Sequence, residues 1–233
     1  MTTTGSASRT ARAIARDQIT RAILGSARTQ LASVGPAALS VRAVAREVGM
    51  VSSAVYRYFP SRDELLTALL IVCYDELGAA VEEQEAAVLD RGDFLGRWLA
   101  LARAVRRWAL DHPYDFGLLY GSAVPGYAAP GRTVAPATRV TRLVVDLLRD
   151  ADAAGTTPPP AAESAALHAS VAGVRAFAGA ELSDDLVLRG LLAWSGLVGS
   201  VSLELYGHLT NAVTDHDTYF DAVARRLSPL GDG

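Results

Sequence analysis

The chain has 233 residues, of which half are apolar and a fifth are charged, so it is long enough to bury a sizeable core in two domains. Its net charge is −3, and its one cysteine, Cys73, excludes an intramolecular disulfide and a cysteine-based zinc cluster. The N-terminal residues include no apolar segment of signal-peptide type, and the longest uncharged apolar stretch, 190–203, is too short to span a membrane, which together predict a cytoplasmic protein.

The charges are distributed unevenly along the chain. Residues 1–64 carry nine arginines against four acidic residues, a charge of +5, whereas the remainder carries −8. A positive N-terminal part on a negative body fits attraction to DNA at one end. Because the chain contains no lysine, every basic contact must come from arginine.

The first predicted helix runs from about Thr10 to Val34, after an N-terminal tail of eight residues that we expect to be mobile. Apolar residues at helical spacing predict its buried face at Ile23, Leu24, Ala27 and Leu31. Its first turns and the tail carry Arg9, Arg12 and Arg16. Two interpretations of these arginines are open: they contact DNA phosphates or the minor groove, or they are simply solvated, as basic tails often are.

Two short helices joined by a tight turn are predicted next, within residues 40–59. The first has an apolar face at Val41, Val44, Ala45 and Val48. Gly49 then supplies the left-handed backbone that ends it. The second carries hydroxyls and an arginine on its open face, while Val55 and Phe59 point to the core. This pattern describes a helix-turn-helix whose second helix enters the DNA major groove, although an ordinary helical corner would look similar.

A long helix is predicted to connect this motif to the rest of the chain. Pro60 ends the second short helix, and residues 61–64 form a capping box in which Ser61 caps the new helix and Glu64 bonds back to the cap. The helix runs from Arg62 to about Val88. The sequence therefore predicts a helix-turn-helix DNA-binding domain at 1–60 and a larger helical domain at 61–233.

The larger domain is predicted to contain helices and no strands. Its most aromatic helix follows Asp93 and ends near residues 111–113, with one apolar stripe at Phe94, Trp98, Leu101, Val105 and Trp108. A short helix at 114–120, a Gly/Pro/Ala loop at 121–135 and a helix at about 136–154 follow. The loop is either a lid or partner contact or a tolerated surface loop.

The last two predicted helices, at about 161–180 and 184–210, are rich in small residues. Alanines form one stripe on the first, and Gly196 and Gly199 interrupt the second. Such faces allow close approach of helices, as in a four-helix dimer seam.

The first quarter of the chain resembles, almost position by position, the DNA-binding domain of the tetracycline-repressor (TetR) family of bacterial regulators. The matching residues are Ile23, Ala27, Leu31 and Gly35, then Ser40, Val44, Ala45 and Gly49, then Tyr56, Phe59, Ser61, Glu64 and Leu65. Val51 stands where the family often has a capping serine, so Ser52 is expected to cap the recognition helix instead. Trp194, Gly199 and residues 202–205 are similar to the tryptophan-glycine subclass of family C-terminal domains, which often has His at the position of Val198.

The resemblance implies an all-α homodimer with an N-terminal three-helix DNA-binding domain and a larger helical domain for ligand binding and dimerisation. The DNA-contacting residues that it implies are Ser52, Ser53, Ala54, Tyr56, Arg57 and Tyr58, with Ser40, Arg42 and Arg62 on the DNA backbone. The implied ligand-pocket candidates are Trp98, Leu101, Trp108, Phe116, Tyr120, Leu143, Leu147, Val171 and Arg175, for each of which core packing is the plainer interpretation. The implied dimer interface comprises Ala165, Ala169, Ala172, Ala176, Trp194, Gly199 and Ser202.

The function implied is that of a transcriptional regulator, usually a repressor, that a small apolar or amphipathic ligand releases from an inverted-repeat operator. Its partners would be double-stranded DNA, a second copy and a small-molecule effector, with no cofactor, metal or membrane. The four histidines form no catalytic set, and the single pair Glu204 and His208 does not make a metal site. Two alternatives stay open: a DNA-binding regulator controlled by a protein partner, which a filled C-terminal core would favour, and a helical enzyme fused to a DNA-binding module, which would need convergent titratable groups.

Overall fold

The structure of the chain, a computed structural model, describes residues 4–161, 164–179 and 181–230, with side chains from Ala11 onward. All regular elements within these residues are helical, which confirms the all-α prediction. In chain order they are α1 (Thr4–Val34), α2 (Val41–Glu47), α3 (Ser52–Val55), α4 (Arg62–Ala86), α5 (Phe94–Asp111), α6 (Pro113–Tyr120), α7 (Val134–Ala137), α8 (Arg139–Ala153), α9 (Ala165–Ser170), α10 (Ala172–Ala178), α11 (Asp184–Leu205) and α12 (His216–Arg226).

The helices form two compact units that do not follow chain order. The first unit comprises the chain up to Cys73 together with Tyr114–Val134, and the second comprises Tyr74–Pro113 and the chain from Ala135. The first unit is therefore larger than the predicted domain 1–60, because the first half of α4 and the segment 114–134 pack with the N-terminal helices. Helix α4 contributes to both units.

Helix α1 begins six residues earlier than predicted, so described residues of the expected tail are helical. Alanine and arginine, which favour helices, recur from Ala7 to Arg16, and no proline interrupts α1. Its buried face begins at Ile23 and continues through Ala27 and Leu31, as predicted. Every side chain from 11 to 18 is exposed. Between residues 11 and 18, α1 is thus a helix without a buried face.

The helix-turn-helix forms around a small apolar core. Val44, Ala45 and Val55 are completely buried, and Phe59 is nearly so. Gly49 has φ 69°, which confirms the predicted left-handed turn. Regular α-helix ends at Val55, but the amide of Phe59 still donates to the Val55 carbonyl at 3.0 Å, so the predicted run to Phe59 continues as tight turns.

The second unit is a helical bundle around α5, which packs against α8, α11 and α12. The buried stripe of α5 includes Trp98, Leu101, Val105 and Trp108, as its spacing predicted. Helix α11 has the length and apolar composition of a membrane span. Its contacts with α5, α8, α10 and α12 are those of a bundle helix.

The end of the second unit corrects two predicted helices. The single helix expected at 161–180 is two short helices that meet at Val171, whose φ of −95° and ψ of 7° leave the helical range. Ser170 Oγ donates to the Ala166 carbonyl at 2.8 Å, a bond of the kind that bends helices, and Gly173 follows. The second helix ends at Leu205 instead of Thr210, and the prediction missed α12 entirely. The helix predicted at 136–154 is likewise divided at Thr138 into α7 and α8.

Candidate nucleic-acid interface and effector groove

Helix α3 and the turn after it present polar side chains on an open face. Ser53 and Arg57 are exposed, and Tyr56 is 42% exposed, whereas Val55 is buried. Ser52, Ala54 and Tyr58 are half-buried along the same segment. Hydroxyls and a guanidinium match the acceptors that base edges show in the major groove. The structure therefore brings together the six residues predicted to contact DNA from this segment.

The start of α3 differs from the expectation that Ser52 caps it. Val51 occupies the cap position, without a side-chain hydrogen bond, and Ser52 is the first residue of the helix. Among the described residues, neither the Ser52 nor the Ser53 hydroxyl has a protein partner. Because neither hydroxyl caps the helix, both remain available to an external ligand.

Helix α2 and its cap carry two of the residues that are predicted to contact the DNA backbone, Arg42 and Ser40. Ser40 caps it by accepting from the Ala43 amide at 3.4 Å, and the Ser40 amide donates to Gln30 Oε1 at 3.2 Å. Arg42 and Arg46 are exposed, and neither has a carboxylate partner within the part of the chain that the structure describes. Glu47 is tied to α1 by a 2.8 Å bond from Ser26. The free positive charge of α2 thus lies at positions 42 and 46.

Arg62 has a local structural role that the sequence did not indicate. Its guanidinium donates to the carbonyls of Pro36, Ala37 and Leu39 at 2.7, 3.0 and 3.1 Å. These bonds fix the turn between α1 and α2 to the start of α4. A contact between Arg62 and the DNA backbone stays a prediction.

The segment 114–134 is tied to the rest of the first unit by polar contacts. The buried carboxylate of Asp115 pairs with Arg28 on α1 at 3.0 Å. Tyr127 shares a 2.8 Å hydrogen bond with Thr67 on α4, and Arg132 donates to Glu64 at 2.6 Å. Ser61 Oγ accepts from the Glu64 amide at 3.0 Å, as the capping box predicted. Among the described residues the Glu64 carboxylate bonds to Arg132 and not back to the cap, which corrects the other half of that prediction. The Gly/Pro/Ala loop is anchored to α4.

Cys73 lies in the same packed region and is chemically quiet. Burial and, to a smaller extent, the neighbouring carboxylate of Asp115 together raise the pKa of its thiol to about 12. The thiol is therefore protonated at neutral pH, which agrees with its predicted packing role.

The ligand-pocket candidates are divided between the two units. Phe116 and Tyr120 belong to the first unit, where their ring centroids are 5.0 Å apart. In the second unit Trp98 is fully buried, and its indole N–H donates to the Ala224 carbonyl at 2.7 Å, so it anchors α12. Arg175 donates to Asp184 and to the Leu182 carbonyl. The remaining pocket candidates of the second unit are mostly buried. Leu143 is half-buried, and the buried ones are Leu101, Trp108, Leu147 and Val171.

An open groove of about 250 Å³ lies beside Trp108 in the second unit. The Trp108 ring stacks on His112, with 4.9 Å between ring centroids. The wall mixes apolar and charged side chains of α4 and α5, namely Ala80, Glu83, Gln84, Ala104, Arg107, Trp108, Asp111 and His112. Of the predicted pocket residues, Trp108 is the one that lines this groove, although its side chain is largely buried.

Ion pairs hold the bundle of the second unit together. Arg97 is only 3% exposed and donates to Glu85 at 2.6 Å and to Asp150 at 2.8 Å. Burial raises the pKa of Glu85, but hydrogen bonds from Arg91 and Arg97 outweigh burial and leave that pKa below its usual value. These contacts link α4, α5 and α8.

Helix α12 is joined to α5 by a second group of ion pairs. Arg106 donates both to Glu204 on α11 and to Asp217 on α12 at 2.7 Å, and Arg103 pairs with Asp221 at 2.6 Å. The sequence signals that would have found α12 are the cap Asp215, which accepts from the Asp217 and Thr218 amides, and the basic last turn at residues 225–226.

The predicted dimer residues lie on accessible faces. Two of the three glycines of α11 were predicted to interrupt it. A Cβ at Gly196 would lie 2.4 Å from Leu227, so that glycine admits the chain's own C-terminal turn. Gly199 has open space instead. Trp194 and Ser202 are half-buried. The four alanines of the predicted interface are exposed on α9 and α10, namely Ala165, Ala169, Ala172 and Ala176.

Within the described residues no three His, Cys, Asp or Glu side chains are grouped closely enough to bind a metal ion. Glu204 of the pair noted in the sequence bonds to Arg106, and His208 is exposed. The titratable groups of the second unit mainly form ion pairs within the protein.

Comparison with known proteins gives consistent matches over both halves of the chain. A family model described as bacterial regulatory proteins, tetR family, matches residues 23–69, and one described as tetracyclin repressor-like, C-terminal domain, matches residues 98–227. The HTH-type transcriptional regulators Mb1846 of Mycobacterium bovis and Rv1816 of Mycobacterium tuberculosis are each 41% identical, over 91% of this chain and 92% of theirs. The crystal structure of the regulatory protein SCO4313 is similar with a TM-score of 0.74 and 33% identity, over 91% of this chain and 96% of that one.

Proposed function

Because the chain belongs to the tetracycline-repressor family of DNA-binding transcriptional regulators, we propose that two copies repress transcription from an inverted-repeat operator and that a small amphipathic molecule releases them. The observation that carries this proposal is the open polar face of α3 on a buried apolar anchor. The protein would act in the cytoplasm, without cofactor or enzymatic activity. Assignment of its C-terminal domain to the tryptophan-glycine subclass is part of the proposal.

Helix α3 enters the major groove in this proposal. Arg57 is exposed and has no protein partner among the described residues, so it can donate two hydrogen bonds to a guanine edge. Ser52, Ser53 and Tyr56 contact bases or nearby phosphates, with Ala54 and Tyr58 beside them. Arg42 contacts phosphate from α2, and Ser40 and Arg62 add to this as far as their local bonds allow.

A second copy covers the outer face of α11. Leu192 is 61% exposed there, and Leu203 and Tyr206 are also exposed, at helical spacing from Gly199. The same stripe on two copies can pair about a two-fold axis, with the alanines of α9 and α10 at its side. A two-fold dimer would place two α3 helices on two half-sites.

The effector binds in the groove beside Trp108. The volume of about 250 Å³ suits a small molecule, and the mixed wall of Trp108, Ala80 and Arg107 suits one with an apolar body and a polar end. Helix α4 lines this groove and also begins next to the DNA-binding helices. A shift of α4 on binding is therefore our proposed route to release, with a coupling of about 1–3 kcal/mol, or roughly 5- to 150-fold weaker DNA binding.

The second candidate is control by a protein partner. The buried, hydrogen-bonded Trp98 and the buried Leu101 and Leu147 favour it, since this part of the core is filled. The groove beside Trp108 favours the small-molecule effector, which we retain as the first candidate.

Footprinting of the full chain on duplexes selected from a randomised library tests the proposal. We expect two protected half-sites related by two-fold symmetry, with centres about 34–36 Å apart if they are one helical turn apart. Protection without two-fold symmetry would contradict the dimeric arrangement. Failure to select any duplex would contradict DNA recognition itself.

A further inference from the structure

We infer that the exposed segment of α1 at residues 11–18 is a second DNA-binding element. It contacts the phosphate backbone outside the half-site that α3 contacts. The inference rests on the proposed function, because it requires that α3 binds duplex DNA. The ligand class is the sugar-phosphate backbone of double-stranded DNA, bound by Arg12 and Arg16 without regard to base sequence.

Packing within the chain gives no reason for this segment of α1 to be helical. All side chains from 11 to 18 are exposed, including Ile14, and the buried face begins only at Ile23. Isolated helices of this length are marginal in water because nucleation is costly, and the contact of Arg16 with Tyr58 buries no apolar face of this segment. A contact with a partner would stabilise such a segment.

The arginines of this segment of α1 lie on one side of the helix. At 100° per residue Arg12 and Arg16 are about 40° apart around the axis, whereas Arg21 is about 180° from Arg12. Arg21 pairs with Asp17 at 2.7 Å, which neutralises both charges. Arg12 has no partner among the described residues. One side of the helix is therefore positive, and the opposite side is neutral.

Arg16 joins this positive side to the surface of α3. Its guanidinium carbon lies 4.9 Å from the centroid of the Tyr58 ring. Tyr58 is the last of the six residues predicted to contact DNA and lies in the turn after α3. The arginine row is thus continuous with the residues that contact the operator, which fixes the partner as the same DNA molecule.

The spacing of the row matches the scale of the DNA backbone. Four residues of α-helix advance about 6 Å, so Arg12 lies about one turn beyond Arg16. Base pairs are stacked about 3.4 Å apart, so this advance corresponds to about two base pairs of flanking duplex. Phosphates beyond the half-site are consequently within the length of the row.

The test is the salt dependence of DNA binding by the full chain, measured on the duplex recovered from the randomised library. Arg12→Ala in both copies removes two phosphate contacts, so the slope of log affinity against log salt should fall by about 1.8. Between about 50 and about 200 mM salt the variant should therefore lose about 12-fold less affinity than the original chain. Arg12 is preferred to Arg16, because Arg16 also contacts Tyr58.

Arg21→Ala is the matched control, since it removes one arginine from the opposite side of the same helix. It should leave the slope unchanged, and both variants should keep the original melting temperature. In addition, the original chain should bind a duplex with about six extra base pairs on each side more tightly than one trimmed to the half-sites, and Arg12→Ala should reduce this difference.

The outcomes separate this inference from the proposed function. Equal slopes for Arg12→Ala and Arg21→Ala, on a duplex that both bind, would overturn the role of α1 and leave DNA recognition by α3 in place. If the full chain selects and binds no duplex, the proposed function fails and the inference fails with it.

Discussion

Arginine has different surroundings in the two units of this protein. In the first unit Arg12, Arg42, Arg46 and Arg57 are exposed, and none has a carboxylate partner within the described part of the chain. In the second unit most arginines are in ion pairs. Those between helices involve Arg97, Arg103, Arg106, Arg139 and Arg175, and those within a helix or with a loop involve Arg91, Arg149 and Arg189. In the proposed function, the unpaired arginines of the first unit contact an external polyanion, whereas most arginines of the second unit stabilise the protein's own structure.

The difference follows from the supply of carboxylates. The first unit has ten arginines against five acidic residues, and the second has twelve against twenty. Where carboxylates are scarce, guanidinium groups keep their donors free at some cost in mutual repulsion. Where carboxylates are abundant, they neutralise the arginines and join helices. Arg107, which lines the groove beside Trp108, is an exposed exception in the second unit.

The largest effect is expected from breaking a buried pair. Arg97→Ala breaks the buried pair and leaves the carboxylate of Glu85 with only the more exposed Arg91 as a partner, which should lower the free energy of unfolding by about 3–5 kcal/mol. Urea denaturation measures this loss. Arg149→Ala, which removes a half-exposed ion pair, is the control and should cost no more than about 1 kcal/mol. Equal losses would show that burial does not distinguish the two pairs.

The same pair makes stability depend on acidity. Since the pKa of Glu85 is lowered in the folded chain, its contribution is complete above the ordinary glutamate value of about 4.3 and is lost as pH falls through the folded value. The stability difference between the original chain and Glu85→Gln should therefore shrink in acid.

An intermediate effect, on DNA binding, is expected from the unpaired arginines that are proposed to contact DNA. Arg57→Ala should weaken operator binding by about 1–3 kcal/mol and relax base preference at one position, because it removes a base contact. Arg42→Ala should weaken binding to all sequences and reduce the salt slope by about one unit for each copy. Binding titrations on matched and mutated operators measure both. Identical losses on the two duplexes for Arg57→Ala would refute its role at a base.

The smallest effect is expected from Arg107. If it holds the polar end of the effector, Arg107→Ala should reduce release of DNA by small aromatic and aliphatic carboxylates about fivefold, or about 1 kcal/mol, the value of an exposed charge contact. Fluorescence anisotropy of a labelled duplex measures release. Arg142→Ala, on α8 outside the groove, is the control. If the carboxylates release the duplex equally well from Arg107→Ala and Arg142→Ala, Arg107 does not contact the effector.

Sequence patterns predicted the features that local interactions determine. The left-handed Gly49, the cap Ser61, the cap Asp93 and the apolar stripe of α5 all depend on residues within one or two turns. The resemblance to the family further implied the all-α class and the DNA-binding role, which the comparisons support.

The features that the sequence did not reveal depend on distant partners. Core packing was already the plainer interpretation of Trp98, but no local pattern indicated its bond to the Ala224 carbonyl, and the prediction missed α12, which carries that carbonyl. The three-carbonyl role of Arg62 and the packing of Leu227 against Gly196 are equally invisible to spacing and composition. Each joins positions that no local pattern relates.

The bond between Trp98 and Ala224 also bears on the order of folding during synthesis. It joins residues 126 positions apart, whereas the bonds from Arg62 to the turn before α2 span 23 to 26 positions. Contacts between near positions close quickly, and chains emerge from the ribosome at about 5–20 residues per second. The helix-turn-helix can therefore close early, while Trp98 must wait for almost the whole chain. A nascent protein would accordingly carry a formed DNA-binding motif on an unfinished bundle for roughly 8 to 32 seconds.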